Sequence, residues 1–312
     1  MSSNIIISVV CSTYNHKAYI SEAIDSFLAQ KLNVPFEIIV HDDASTDGTR
    51  EILVDYESRH PELIRVIQQP SNIYSTGKRV FDVALSYAKG LYVAPCEGDD
   101  FWNDPLKLQK QLDYMEKNGD CGAVFTDSNI LIQETQSIYL DHDASRDFFP
   151  PVGSVKAELV LGNRYKSCTV LLRTKALHGY AEHADFLRAK MLDYVIWLHV
   201  ASRYQIGYLK ESTATYRVLK QSASHFSAHR GKVTFERSAY KVSAFFNKRF
   251  GSVVEKEKLK SAYAHNMFIY SLKKKEFRRA VGYVRCSWPF VAMAVGVVRR
   301  QARVLIRKLR MS

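Results

Sequence analysis

Apolar and polar positions follow two rhythms over the first 126 residues. Short β-rich runs at 5–11, 36–40, 63–67 and 91–95 predict strands, and the segments between them carry apolar residues at helical spacing. Ile20, Ala23, Ile24, Phe27 and Leu28 define one helical face. Ile52, Leu53 and Tyr56 define a second, capped by Asp47 or Thr49, and Val80, Val83, Ala84 and Tyr87 a third, which Gly90 is placed to end. Asp104-Pro105 opens a fourth helix, with Leu108, Leu112 and Met115 on its inner side, that closes at Gly119. Strand, helix, strand in succession predicts βαβ units around a mostly parallel sheet. Beyond a strand at 122–125, the polar stretch 141–154 reads as a loop over the sheet's carboxyl edge. Strands at 169–172, 206–209 and 213–217 and a helix at 193–204 follow, and from about residue 226 the pattern is helical and basic.

With 312 residues, 46% hydrophobic and 24% charged, the chain can bury a full core, which excludes disordered and collagen-like classes. The five cysteines (Cys11, Cys96, Cys121, Cys168, Cys286) form no CxxC pair and sit mostly in apolar runs, as buried thiols of a reducing compartment do. The first residues carry no basic region followed by a long apolar run, and no window reaches the ~18 apolar residues of a membrane span, so a cytosolic protein is expected. The net charge of +12 divides unevenly, into −5 over residues 1–225 and +17 over 226–312. An anionic partner surface is therefore expected for the extension alone.

Two acidic clusters follow predicted strands immediately: DDASTDGT at 42–49 and EGDD at 97–100. Ligands bind at the carboxyl ends of strands in open α/β sheets, so both clusters should face one pocket. Carboxylates gathered there repel one another unless a cation lies between them, and their hard oxygens suit Mg²⁺ or Mn²⁺ bridging to a diphosphate. Taken alone, the first cluster reads rather as a capped loop, and the second is equally a solvated turn before a helix.

The segments CSTYNHKAYISEAIDSFLAQ at 11–30, FEIIVHDDASTDGTREIL at 36–53, KGLYVAPCEGDDFWNDPLKLQKQ at 89–111 and MLDYVIWLHVASRYQIGYLKESTATYR at 191–217 resemble, in order and spacing, a family 2 glycosyltransferase with the GT-A fold of bacterial surface-polysaccharide enzymes. The resemblance covers about residues 5–225. It implies a Rossmann-like, mostly parallel sheet with flanking helices, a GT-A domain over 1–225, and a basic helical extension over 226–312.

Position by position, the resemblance implies that Thr13, Tyr14 and Asn15 pack on the nucleotide base. Asp42 or Asp43 would accept from the uracil imide or contact the ribose. Glu97-Gly98-Asp99 occupies the DxD position, with Glu97 toward the ribose or metal and Asp99 on the metal. Glu97 departs from the usual first Asp, and Asp100 adds a third carboxylate, so which pair holds the ion is left open. Arg217 and His225 are expected to approach the diphosphate, or else to be a salt-bridge partner and an ordinary surface histidine. Asp193 is expected as the general base that deprotonates the acceptor hydroxyl, or else as a helix cap. Trp102 and Trp197 are expected in the core.

The expected activity is metal-dependent, inverting transfer of a sugar from a nucleotide donor, UDP-sugar favoured, to a lipid-linked or surface-glycan acceptor. Residues 287–298 are apolar, contain Trp288 and Phe290, and lie between clusters of Lys and Arg. This pattern suits a helix lying on an anionic membrane, which places the protein peripherally on the inner face of the cell membrane. No nucleic-acid recognition motif accompanies the charge, and no nucleic-acid partner is expected. Two other classes fit the sequence less well. A sugar-nucleotide nucleotidyltransferase would carry a Gly-rich basic loop after the first strand, which CSTYNHK lacks. A non-catalytic membrane-binding module with a degenerate transferase domain fits poorly with Asp99, Asp100 and Asp193 in place.

Overall fold

The computed structural model describes residues 4–146, 150, 152–220, 229–276 and 278–283. The chain forms two compact units, one from residues up to 155 with 164–179 and 199–225, the other from 156–163, 180–198 and 226 onward.

The first unit is built on a nine-stranded sheet. Its parallel half contains β1 (Ile7–Thr13), β2 (Phe36–Asp42), β3 (Ile64–Gln68) and β4 (Tyr92–Pro95), in the order β3-β2-β1-β4. The linking helices are α1 (Ile20–Leu28), α2 (Thr49–Arg59) and α3 (Val80–Leu85). The order continues through β8 (Leu171–Arg173), β6 (Cys121–Ile132), β9 (Gln205–Val218) and the two-residue β5 (Phe101–Trp102), and β7 (Ser137–Tyr139) pairs with β6 as a hairpin. Here parallel and antiparallel pairs mix: β6 and β9 run parallel, whereas β8 is antiparallel to both β4 and β6. Helix α4 (Lys107–Lys117) buries Leu108, Leu112 and Met115, the face its spacing predicted. Ile7, Val9, Ile24, Phe27, Ile38, Val40 and Leu53 form one apolar core with Trp102. The expected packing role of both tryptophans holds, with Trp102 and Trp197 buried.

Two local expectations need correction. The segments 206–209 and 213–217 form a single strand: β9 stays paired to β6 across the polar Lys210-Glu211, because the register jumps from Thr126↔Leu209 to Asp127↔Ser212 and leaves those two residues bulged out. Gly90 does not cap a helix, since α3 ends at Leu85. It is required because β1 passes so closely that a Cβ there would lie 2.5 Å from the Ser8 nitrogen.

The second unit is helical. It comprises α5 (Lys156–Leu159), α6 (Tyr180–Leu187), the start of α7 (Leu192–Arg203), α8 (His229–Arg249) and α9 (Lys256–Lys273). Phe246 of α8 stacks on His183 of α6 with ring centroids 5.4 Å apart. The buried Tyr194 hydroxyl donates to the Leu159 carbonyl (2.7 Å) and pairs with the Ser243 hydroxyl (2.9 Å). Among the described residues no helix is long and apolar enough to cross a membrane. His225, Cys286 and the basic segment 287–310 lie outside the described residues.

Candidate active site

Strands β1, β2 and β4 run parallel and adjacent, so the segments that follow them emerge at one edge of the sheet. Thr13 pairs with Asp42 at the last rung of the β1–β2 ladder, and beyond it the Asp43 amide donates to the Thr13 carbonyl (3.0 Å). The two turns are then stitched together. Asn15, in the left-handed region at φ 55°, receives the Thr46 amide on its Oδ1 (2.9 Å), while its own amide donates to the Ser45 hydroxyl (2.9 Å). Asn tolerates this backbone better than most residues, which accounts for its place in the TYN turn. Tyr14 stands outward, 44% exposed.

Asp42, which ends β2, and Asp43 are both buried, and both brace local structure. Asp42 accepts from the Arg50 Nε at 3.1 Å and from the Ser45 amide. Asp43 accepts the amides of Ile73 (2.8 Å) and Tyr74 (3.0 Å), fixing the segment that follows β3.

The acidic segment after β4 is folded back on β1. The Gly98 amide donates to the Ser12 carbonyl (3.0 Å), and the Asp100 amide closes a tight turn on the Glu97 carbonyl (3.0 Å). Glu97 is exposed, Asp99 half-buried and Asp100 buried. Asp100 Oδ1 accepts the Arg217 amide at 2.8 Å. Its Oδ2 and the Oδ1 of Asp99 are buried with no hydrogen-bond partner. Burial, reinforced by the neighbouring Asp99 and Glu97 charges, pushes the Asp100 carboxyl well above the ordinary carboxylate range. Buried carboxylate oxygens without partners are costly unless a cation satisfies them.

Among the described residues no three His, Cys, Asp or Glu side chains form a ready-made metal cage. The Asp99 and Asp100 pair nonetheless fits Mg²⁺ or Mn²⁺, which bind through one or two carboxylates and complete their shell from substrate phosphates and water.

Arg217, in β9, is 5% exposed. Its Nε donates to the Asp99 carbonyl (2.7 Å) and its Nη1 to Gln133 Oε1 (2.5 Å), and its Nη2 pairs with the Glu22 carboxylate. His16, which the motif reading passed over, has a buried and unpartnered Nδ1. Burial lowers its imidazole pKa, against the opposing charges of Asp99 and Asp47. Thr13, Asp43, Glu97, Asp99, Asp100 and Arg217 thus gather within the first unit. Glu22, Gln133 and His16 join them without any motif to announce them.

Asp193 belongs to the second unit, in the first turn of α7. Its Oδ2 accepts from Asn163 Nδ2 (2.7 Å) and its Oδ1 from the Tyr194 amide (2.8 Å). Burial raises its carboxyl above the usual value, while those two donors restrain the rise. The result is a carboxylate held in one orientation with heightened basicity, a combination suited to accepting a proton.

The architecture is that of the GT-A fold. The crystal structure of Staphylococcus aureus TarS residues 1–349 in complex with UDP-GlcNAc superposes with a TM-score of 0.59 at 18% identity, covering 90% of this chain and 80% of that one. The model of glycosyl transferase family 2 matches residues 8–178, and the chain belongs to that family. TuaG of Bacillus subtilis, named for teichuronic acid biosynthesis, is 30% identical over 220 residues, covering 70% of this chain and 81% of its own. An uncharacterized Mycobacterium tuberculosis protein is 35% identical over 218 residues, or 67% of this chain. The match spans 58% of the length of that relative.

Proposed function

We propose that the protein transfers a sugar from a nucleotide donor, a UDP-sugar by preference, to a hydroxyl of a surface glycan or lipid-linked glycan, with inversion at the anomeric carbon. The observation that carries this reading is the pair of buried, unpartnered oxygens, Asp99 Oδ1 and Asp100 Oδ2, just beyond β4. Thr13, Tyr14 and Asn15, with Asp42 and Asp43, would receive the base and ribose, and Glu97 the ribose side of the diphosphate. Asp99 and Asp100 would hold Mg²⁺ or Mn²⁺, which when bound neutralises charge developing on the leaving diphosphate. Asp193 takes the proton of the acceptor hydroxyl as its oxygen bonds to the sugar C1. The C1–O bond to the diphosphate breaks on the opposite face, and its electron pair leaves with the nucleoside diphosphate. Direct displacement of this kind turns an α-linked donor into a β-linked product.

The acceptor class is supported by likeness to a protein named for teichuronic acid biosynthesis and by the +17 charge of residues 226–312. We place the enzyme peripherally on the inner face of the cell membrane, with the basic segment against anionic lipid. Calorimetry of UDP binding with and without Mn²⁺ tests the site. The wild type should bind UDP in a Mn²⁺-dependent manner and Asp99→Ala should lose that dependence; undiminished Mn²⁺-dependent affinity in the mutant would refute the assignment. A panel of nucleotide sugars, scored for metal-dependent hydrolysis, identifies the donor.

A further inference from the structure

We propose that Arg217 is a positioning residue for the acidic segment 97–100 and makes no contact with the nucleotide; the inference rests on Asp99 and Asp100 being the metal carboxylates. Arg217 engages the segment twice, through its backbone amide to Asp100 Oδ1 and through its Nε to the Asp99 carbonyl. The first bond decides which Asp100 oxygen is occupied and which is left for a ligand. The second fixes the peptide from which the Asp99 side chain springs. The rest of the guanidinium is committed elsewhere: Nη1 to Gln133, just after β6, and Nη2 to Glu22 in α1. Its plane lies near two rings, 4.7 Å from the Tyr19 centroid and 5.4 Å from that of Phe101. Arg217 also pairs with Leu131 near the end of the β6–β9 ladder, so the segment is tied to those two strands through one residue.

The chemistry of this arrangement is specific to arginine. A planar fork can serve a carbonyl, an amide oxygen and a carboxylate at once, whereas a lysine supplies the charge without the fork. Glu22 is half exposed while its partner is buried, so the carboxylate acts as an outer anchor that keeps the guanidinium turned away from open solvent. Two roles for Arg217 then give opposite expectations. If the guanidinium binds the diphosphate, releasing it from Glu22 should preserve or strengthen nucleotide binding, and Arg217→Lys should keep Mn²⁺ affinity. If it positions the carboxylates, both changes should weaken the metal site itself.

The experiment uses the full chain, with Mn²⁺ alone and UDP with Mn²⁺ as calorimetric probes, and hydrogen exchange over residues 96–102 without any ligand. Glu22→Gln and Arg217→Lys are expected to weaken Mn²⁺ binding about tenfold or more, the range in which a lost outer-shell partner acts, and to speed exchange in that segment. Unchanged Mn²⁺ affinity in both variants, with equal or tighter UDP binding by Glu22→Gln, overturns the positioning role and makes Arg217 a diphosphate contact. If the wild type shows no Mn²⁺ effect at all, the metal reading fails separately. Exchange then decides: unchanged rates in the variants overturn the positioning role, and faster rates uphold it. Should Arg217→Lys fail to fold, Glu22→Gln carries the same comparison.

Discussion

A Cβ placed on Gly98 would stand 2.8 Å from Oγ1 of Thr13 and 2.9 Å from the Thr13 Cβ. The acidic segment therefore lies directly on the end of β1, and the absent side chain of Gly98 allows the contact. Thr13 is β-branched and buried, so it cannot swing aside cheaply.

Gly98→Ala should consequently destabilise the fold by about 1–3 kcal/mol, the usual cost of forcing extra volume into a packed site. It should also weaken UDP binding, because the segment carrying Asp99 must lift away from β1. Urea denaturation and calorimetry on the same variant check both effects, and unchanged stability would mean that the segment already has room to move.

Asp193→Asn should leave UDP affinity unchanged and lower transfer by about 10²-fold or more, the range of a lost general base. The pH profile adds a sign. A base with a raised pKa loses activity as pH falls through that value, so the acid limb should lie above the ordinary aspartate range. Asn163→Ala removes a donor to the ionised form and should move that limb further upward. A limb that stays in place would detach Asn163 from the base.

Lys107 provides a pH test of the core. Its ammonium is fully buried, donates to Gln111 Oε1 (2.7 Å) and lies 4.5 Å from the Trp102 centroid. Burial lowers its pKa from 10.5 to about 8. Between those values the unfolded chain binds more protons than the folded one, so this residue's contribution to stability should climb as pH rises from about 8 to 10.5. The climb is on the order of 3 kcal/mol and should be absent from Lys107→Met. Denaturation midpoints across that range, compared between the two proteins, measure it.

Truncation after Val284 should release the protein from anionic vesicles while leaving Mn²⁺-dependent UDP binding intact. Seven cations from Arg285 to Arg310 meet no acidic residue, and each basic residue near an anionic surface contributes on the order of 1 kcal/mol. Added salt should weaken binding of the full chain. Equal cosedimentation by both proteins would place the anchor elsewhere.

The parallel half of the sheet was legible because each strand there is a short apolar run between helices with a clear buried face, as Ile20, Ile24 and Phe27 show. The position of the acidic segments was legible because each follows directly on an apolar run, whereas the structural duties of Asp42 and Asp43 were not. Glu22 and Gln133 were not legible either, because their partner Arg217 lies far off in sequence and no local period records such a pairing. Asp42 shows a different limit. A motif marks where a carboxylate sits, but the ion pair with Arg50 that occupies it becomes visible only once α2 is folded beside β2.

The four described cysteines are all buried as free thiols. Burial raises the pKa of Cys11, with the charges of Asp99, Glu97 and Asp100 adding to it, and burial likewise holds Cys96 and Cys168 protonated. Alkylating reagents attack the thiolate, so these sulfurs are shielded both by lack of access and by lack of ionisation. Their labelling rate therefore reports opening of the structure around the acidic segment. A ligand bound there should slow alkylation in proportion to the opening it suppresses, giving a measure of occupancy that requires neither turnover nor knowledge of the donor sugar.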